Sequence, residues 1–146
     1  MTPSENRPSR QAPEVLKVTP AGDEHQVVTL KSSTKAYRKE PCPGCPWRKD
    51  NTGEFPSEAF RVSANTAYDM STHRFSCHES GAQKPATCAG FLLRGADHNM
   101  GVRLAYMRGD LVDDVTDGGH ELFDSYRDMA VANGVDPEDP ILKPCR

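Results

Sequence analysis

Four cysteines crowd into residues 42–88 of this chain, and their spacing constrains it more than any other feature. Cys42 and Cys45 form a C-x2-C pair inside Pro41-Cys42-Pro43-Gly44-Cys45-Pro46-Trp47, and Cys77 and Cys88 follow. A two-residue gap filled by Pro-Gly bends tightly enough to turn both sulfurs toward one ion. Cys77 closes an extended segment. Cys88 falls at the expected first turn of a helix, where free N–H groups favour a thiolate. The pattern is read as one metal centre held by Cys42, Cys45, Cys77 and Cys88. Two rival readings are weighed beside it. Cys77 and Cys88 could be buried small hydrophobes next to Phe75 and Phe91. Cys42 and Cys45 could be a thioredoxin-like redox pair, although the βαβ surroundings such a pair needs are missing.

The ligand spacing also bears on which metal. Structural zinc sites usually combine two C-x2-C knuckles, or one knuckle with a histidine pair. Here the second half is a widely spaced Cys77 and Cys88. Pro46 also occupies the place where many zinc knuckles carry glycine, in a conformation proline cannot take. Iron–sulfur clusters, 2Fe–2S or 4Fe–4S, accept four scattered cysteines. A cluster is therefore read ahead of zinc. His78, beside Cys77, and Cys145, near the C-terminus, are candidates for an extra ligand or a neighbour of the sulfurs. Cys145 reads first as a free thiol.

Composition supports a stapled domain. The chain has 146 residues, of which 36% are hydrophobic and 27% charged, so one domain with a thin core is expected. Such domains often recruit a metal, a disulfide or a partner. No apolar run approaches the roughly 18 residues of a membrane span. The opening MTPSENRPSRQAPE lacks the apolar centre of a secretory signal. A cytoplasmic location is expected, where clustered cysteines serve metals or redox chemistry more often than disulfides.

The expected fold class is α+β, a small and mostly helical single domain with a short β element. Seven of the 12 prolines fall in the first 46 residues, and residues 1–14 read as a disordered arm ahead of a domain over 15–146. Val15–Val18 and Gln26–Leu30 flank a turn-like Pro20-Ala21-Gly22-Asp23 and predict a hairpin. Pro56-Ser57 opens a helix carrying Phe60, Ala64, Ala67 and Tyr68 on one face. A second helix is predicted after Thr87, with Ala89, Leu93, Ala96, Met100, Leu104 and Met107 as its stripe and Gly109 as its stop. Gly90, Gly95 and Gly101 weaken it by about 1 kcal/mol each, and either permit close backbone approach or split it. A third helix is predicted from about Glu121, with Leu122, Tyr126, Met129 and Ala130 inward and Asn133-Gly134 ending it. Arg74–Cys77 reads as a short strand.

The formal net charge of −3 hides a strong asymmetry. From Lys31 to Lys49 six basic residues face Glu40 alone, and from Asp110 to Asp139 ten acidic residues face Arg127 alone. The overall charge excludes a uniformly basic nucleic-acid or membrane coat. Two solvated faces are the plainer account of such runs. A sharper account has Lys35, Arg38, Lys39, Arg48 and Lys49, with Tyr37 and Trp47 interleaved, contacting phosphates and stacked bases.

The blocks KAYRKEPCPGCPWRKD, GEFPSEAFRVSANTAYDM, FSCH, KPATCAGFLLRGADHN and GGHELFDSYRDMAVANGVDPEDP occur here in one order. From about Val27 to Arg146 the chain resembles an uncharacterised family of small four-cysteine proteins of bacteriophages, prophages and bacteria. The resemblance implies a shared small domain and a mobile-element origin, and it brings no catalytic residues.

No Ser/His/Asp order, glycine-rich phosphate loop or helical carboxylate pair is present, so catalysis has no positive support. The expectation is a non-enzymatic, metal-stabilised binding module contacting nucleic acid or a host nucleic-acid-handling protein. An iron–sulfur redox or sensor protein is the rival from another class. A metal-dependent hydrolase or nuclease using His78 or His98 is the third.

Overall fold

The computed structural model describes residues 14–21, 25–31, 35–81 and 83–145, leaving aside the side chains of Leu30, Lys31 and His78. The predicted arm over 1–14 thus lies outside the described residues except for Glu14, which already belongs to a strand. Strand β1 (Glu14–Pro20) pairs antiparallel with β2 (Gln26–Lys31), with Val18 opposite Val28 and an irregularity between Val15 and Lys17. The hairpin closes with the Ala21 N–H donating to the His25 carbonyl at 3.0 Å.

Four short helices form the rest of the domain: α1 (Ser57–Ser63), α2 (Ala89–Arg94), α3 (Met100–Arg108) and α4 (Tyr126–Ala132). Proline before α1 fixes an extended entry, and the helix tightens into a 3-10 turn over Ala64–Ala67. Phe60, Ala64 and Ala67 are buried as the periodicity predicts. Helix α4 begins where Ser125 accepts from the Asp128 N–H at 3.1 Å. It ends at Asn133-Gly134, with Gly134 in the left-handed region at φ 101°. The Tyr126 hydroxyl joins the first and last helices, donating to the Phe60 carbonyl at 2.6 Å and lying 2.7 Å from Ser63 Oγ.

Three sequence expectations change. The long second helix is two helices, split between Gly95 and Asn99. Asn99 caps α3 by accepting from the Val102 N–H at 3.0 Å, and its amide ties down the carbonyls of Thr66 and His73. The break shifts the helical phase, so Val102 and Ala105 are buried while Met107 is 82% exposed. The third helix starts at Tyr126 rather than Glu121. Leu122 is nonetheless buried, held in extended backbone by an antiparallel bridge to Arg48. Arg74–Cys77 makes a single bridge, Ser76 to Thr87, and no strand.

The core centres on an aromatic group. Trp47 meets Phe75 and Tyr126 edge-on, at 6.0 and 5.9 Å between ring centroids, and Phe75 stacks on Phe91 at 6.3 Å. Cys42, Cys45, Cys77 and Cys88 belong to the same buried cluster. Among the described residues, no helix is long and apolar enough to cross a membrane.

Candidate functional site: a buried four-cysteine cluster

Three separate pieces of backbone bring the cysteines together. The Cys42–Cys45 loop is a turn closed by the Cys45 N–H donating to the Cys42 carbonyl at 3.0 Å. Asn51 holds it from outside, its amide donating to the carbonyls of Pro43 and Cys45 at 2.9 and 2.8 Å. Cys77 and Cys88 approach each other because Thr87 is a junction. It bridges Ser76 on one side and Tyr37 on the other. The Cys77 N–H donates to Ala86 and the Cys88 N–H to Phe75, at 2.6 and 2.8 Å. Segments around residues 37, 76 and 87 are thereby knitted side by side beneath the Cys42–Cys45 turn. Glu79 then ties that turn to the backbone after Cys77, accepting from the Gly44 N–H at 3.2 Å.

Two of the four sulfurs are in direct contact: Cys45 Sγ and Cys88 Sγ stand 3.6 Å apart, with Cys45 0% and Cys88 1% exposed. Cys42 lies within electrostatic reach of both Cys77 and Cys45. Among the described residues no three His, Cys, Asp or Glu side chains converge in the geometry of a single bound ion.

The thiols are electrostatically uneven. The Cys88 thiol donates to Cys45 and so lowers the Cys45 pKa, with backbone N–H groups of Trp47 and Arg48 and the Arg48 charge adding to the effect. The same bond, followed by burial, raises Cys88. Burial, and then Cys77, push the Cys42 thiol up to about 12. Two guanidinium groups adjoin the cluster. Arg38 lies beside the Cys77 sulfur, which raises the arginine pKa, and Arg48 sits within electrostatic reach of both Cys45 and Cys42.

The other expected site residues have different placements. Cys145 is half-buried, with its thiol directed to the Ala64 and Ile141 carbonyls at 3.7 and 4.0 Å, and burial raises its pKa to about 11. The His78 side chain lies outside the described residues. His98 Nδ1 stands 3.7 Å from Asp69 Oδ1 at the surface. Trp47 requires a correction: it is 0% exposed, so its indole is a core element and offers no face to a base.

The basic residues are engaged with acidic ones nearby or far along the chain. Lys35 pairs with Asp110 and Lys39 with Asp114, at 3.2 and 3.1 Å. Lys49 pairs with Glu121 at 3.2 Å and Arg48 with Asp50. The Tyr37 hydroxyl donates to Asp114 at 2.8 Å. The sequence showed a basic run and an acidic run, but not that the two meet. Arg38 was read as a partner contact, and its place beside Cys77 was missed. A cation four residues before a C-x2-C pair was the available signal.

A small α+β domain with four cysteines gathered in its core is thus the class that the fold and site define. The chain belongs to DUF6283, a family of unknown function whose model matches residues 37–146. Among curated proteins and among solved structures, nothing matches it.

Proposed function

We propose that the protein is a non-enzymatic, metal-stabilised binding module whose Cys42, Cys45, Cys77 and Cys88 hold a 2Fe–2S cluster. The observation that carries this reading is the 3.6 Å contact between the Cys45 and Cys88 sulfurs. Sulfurs bound to one tetrahedral ion at about 2.3 Å stand roughly 3.8 Å apart. The contact therefore has the spacing of two ligands on the same ion. In a 4Fe–4S cube each iron takes one cysteine, so its cysteine sulfurs stand well beyond contact. A 2Fe–2S cluster, with two cysteines per iron, would take Cys45 and Cys88 on one iron and leave Cys42 and Cys77 for the other. Zinc is the alternative, and needs the four sulfurs to close into one tetrahedron.

The surroundings suit either centre. Four buried thiolates around a metal carry net negative charge, and Arg38 and Arg48 offset it. Burial also disfavours the dithiol reading, because exchange needs a thiolate to reach a sulfur from outside. Holding the metal joins three chain segments, so binding energy becomes folding energy in a domain with a thin core.

The partner is proposed to be nucleic acid or a nucleic-acid-handling protein, met through Lys35, Lys39 and Lys49. Their ion pairs are exposed and worth little each, about 0–1 kcal/mol, so phosphates can displace the carboxylates. A redox or sensor role is the second reading, favoured by the aromatic wall of Trp47, Phe75 and Phe91 that excludes water from the cluster region.

The ligand set is tested by metal content across single Cys→Ser variants purified without oxygen. Variants at Cys42, Cys45, Cys77 and Cys88 are expected to lose metal and cooperative unfolding, while Cys145→Ser keeps both. Equal behaviour of all five contradicts the assignment.

A further inference from the structure

A cavity of about 680 Å³ lies between β2 and the body of the domain, a size typical of small-molecule sites. Its lining is mixed, with an apolar side formed by Val27 from β2, Phe55 ahead of α1, Phe60 within α1, and Phe75. The hairpin is held over it where the His25 ring meets Phe55 edge-on at 6.1 Å between centroids.

One cation in this wall lacks a counter-charge. Arg74 is half-buried, and no carboxylate of the described residues lies within ion-pair distance of it. Its guanidinium donates to the Gly101 carbonyl at a long 3.4 Å. Asp110, the nearby acid whose field it feels, is engaged by Lys35 at 3.2 Å. Arg108 adds a further cation to the same lining, so its formal charge is positive. Partly burying a guanidinium without a matching anion is costly, and an incoming anion would relieve that cost.

We propose that this cavity binds a small organic anion with a flat apolar body, such as an aromatic carboxylate or sulfonate. Arg74 receives the charge, and Phe55, Phe60, Phe75 and Val27 enclose the body. Cys77 lies in the same lining, so the ligand rests against the wall of the four-cysteine cluster. Binding itself requires no metal.

The probe is 1-naphthoate, titrated into the full chain by calorimetry, with neutral 1-naphthylmethanol as the comparison. The native protein is expected to bind one naphthoate saturably and to prefer it over the alcohol by about tenfold or more, as one charge-assisted hydrogen-bond pair would provide. Arg74→Gln should remove that preference while melting cooperatively, and Ala59→Trp, which fills the cavity from α1, should abolish binding of both. Lys143→Gln, far from the lining in sequence and exposed, should change nothing. Absence of saturable binding at millimolar naphthoate overturns the proposal. So does equal affinity for acid and alcohol in the native protein, a result that stands even if Arg74→Gln does not fold.

Discussion

Gly90 lies directly against the indole of Trp47: a Cβ at this position would stand 2.5 Å from Trp47 Cβ and 2.7 Å from its Cγ. A Cβ at Gly95, which caps the end of α2, would stand 2.5 Å from the far edge of the same ring. Two glycines, one in the first turn of α2 and one at its end, therefore form the slot into which the residue after Pro46 fits. Because Cys88 heads this helix and Cys45 lies two residues before Trp47, the slot also sets how close their sulfurs come.

Gly90→Ala should accordingly be destabilising although alanine is the better helix former. Overpacking of a filled core costs about 1–3 kcal/mol, against roughly 1 kcal/mol gained in helix propensity. Thermal melts followed by circular dichroism should show a lower Tm and weaker metal retention. An unchanged or raised Tm would mean that the indole has room to move.

The burial of Trp47 has an optical consequence. Its emission should be blue-shifted relative to free tryptophan, resist quenching by iodide, and stay unchanged when an oligonucleotide is added. Quenching by the oligonucleotide would place the indole at the interface after all.

Partner binding through Lys35, Lys39 and Lys49 makes a separate prediction. Affinity for a labelled single-stranded oligonucleotide should fall steeply from about 50 to about 200 mM salt. A Lys35→Gln/Lys39→Gln variant should reduce the slope. Binding that is absent at low salt, or indifferent to salt, removes nucleic acid as the partner.

Acid stability should depend on Asp139. The Ile141 N–H, and then Arg61 from α1, hold its carboxyl below the ordinary aspartate value, with Arg61 Nε 2.8 Å from Oδ2. A depressed folded-state pKa gives stability that is present above the unfolded value and lost as pH falls through the folded one. Tm should thus decline as pH is lowered below about 4, and Asp139→Asn should flatten that decline. A parallel decline in the variant would assign the acid sensitivity elsewhere, with Asp114 next, since Tyr37 and Lys39 lower its carboxyl similarly.

Local signals were legible in the sequence where local chemistry decides. Pro56-Ser57 marked the start of α1 and Asn133-Gly134 the end of α4. What failed was phase. A stripe counted from Ala89 to Met107 assumes one continuous helix, whereas Asn99 uses its side chain to satisfy the start of a second one. The start of α4 was misplaced for a related reason, since Leu122 is buried by a backbone bridge to Arg48 and not by helical periodicity. Trp47 beside five cations looked like a stacking residue, and only the distant Gly90 and Gly95 show where it goes. The cysteines' proximity was readable as a cluster, but the approach of the Cys77 and Cys88 segments runs through Thr87, whose bridges to Tyr37 and Ser76 leave no pattern in the chain.

The central claim is that Cys42, Cys45, Cys77 and Cys88 hold a 2Fe–2S cluster. Elemental analysis of the full chain purified without oxygen, read alongside its visible absorbance, tests it most directly. The account predicts a coloured protein with two irons and two acid-labile sulfides per chain, bleaching on reduction and absent from Cys88→Ser. A colourless chain with a single zinc would contradict the cluster while keeping the four ligands. A folded, cooperatively melting chain that holds no metal under these conditions would contradict the account.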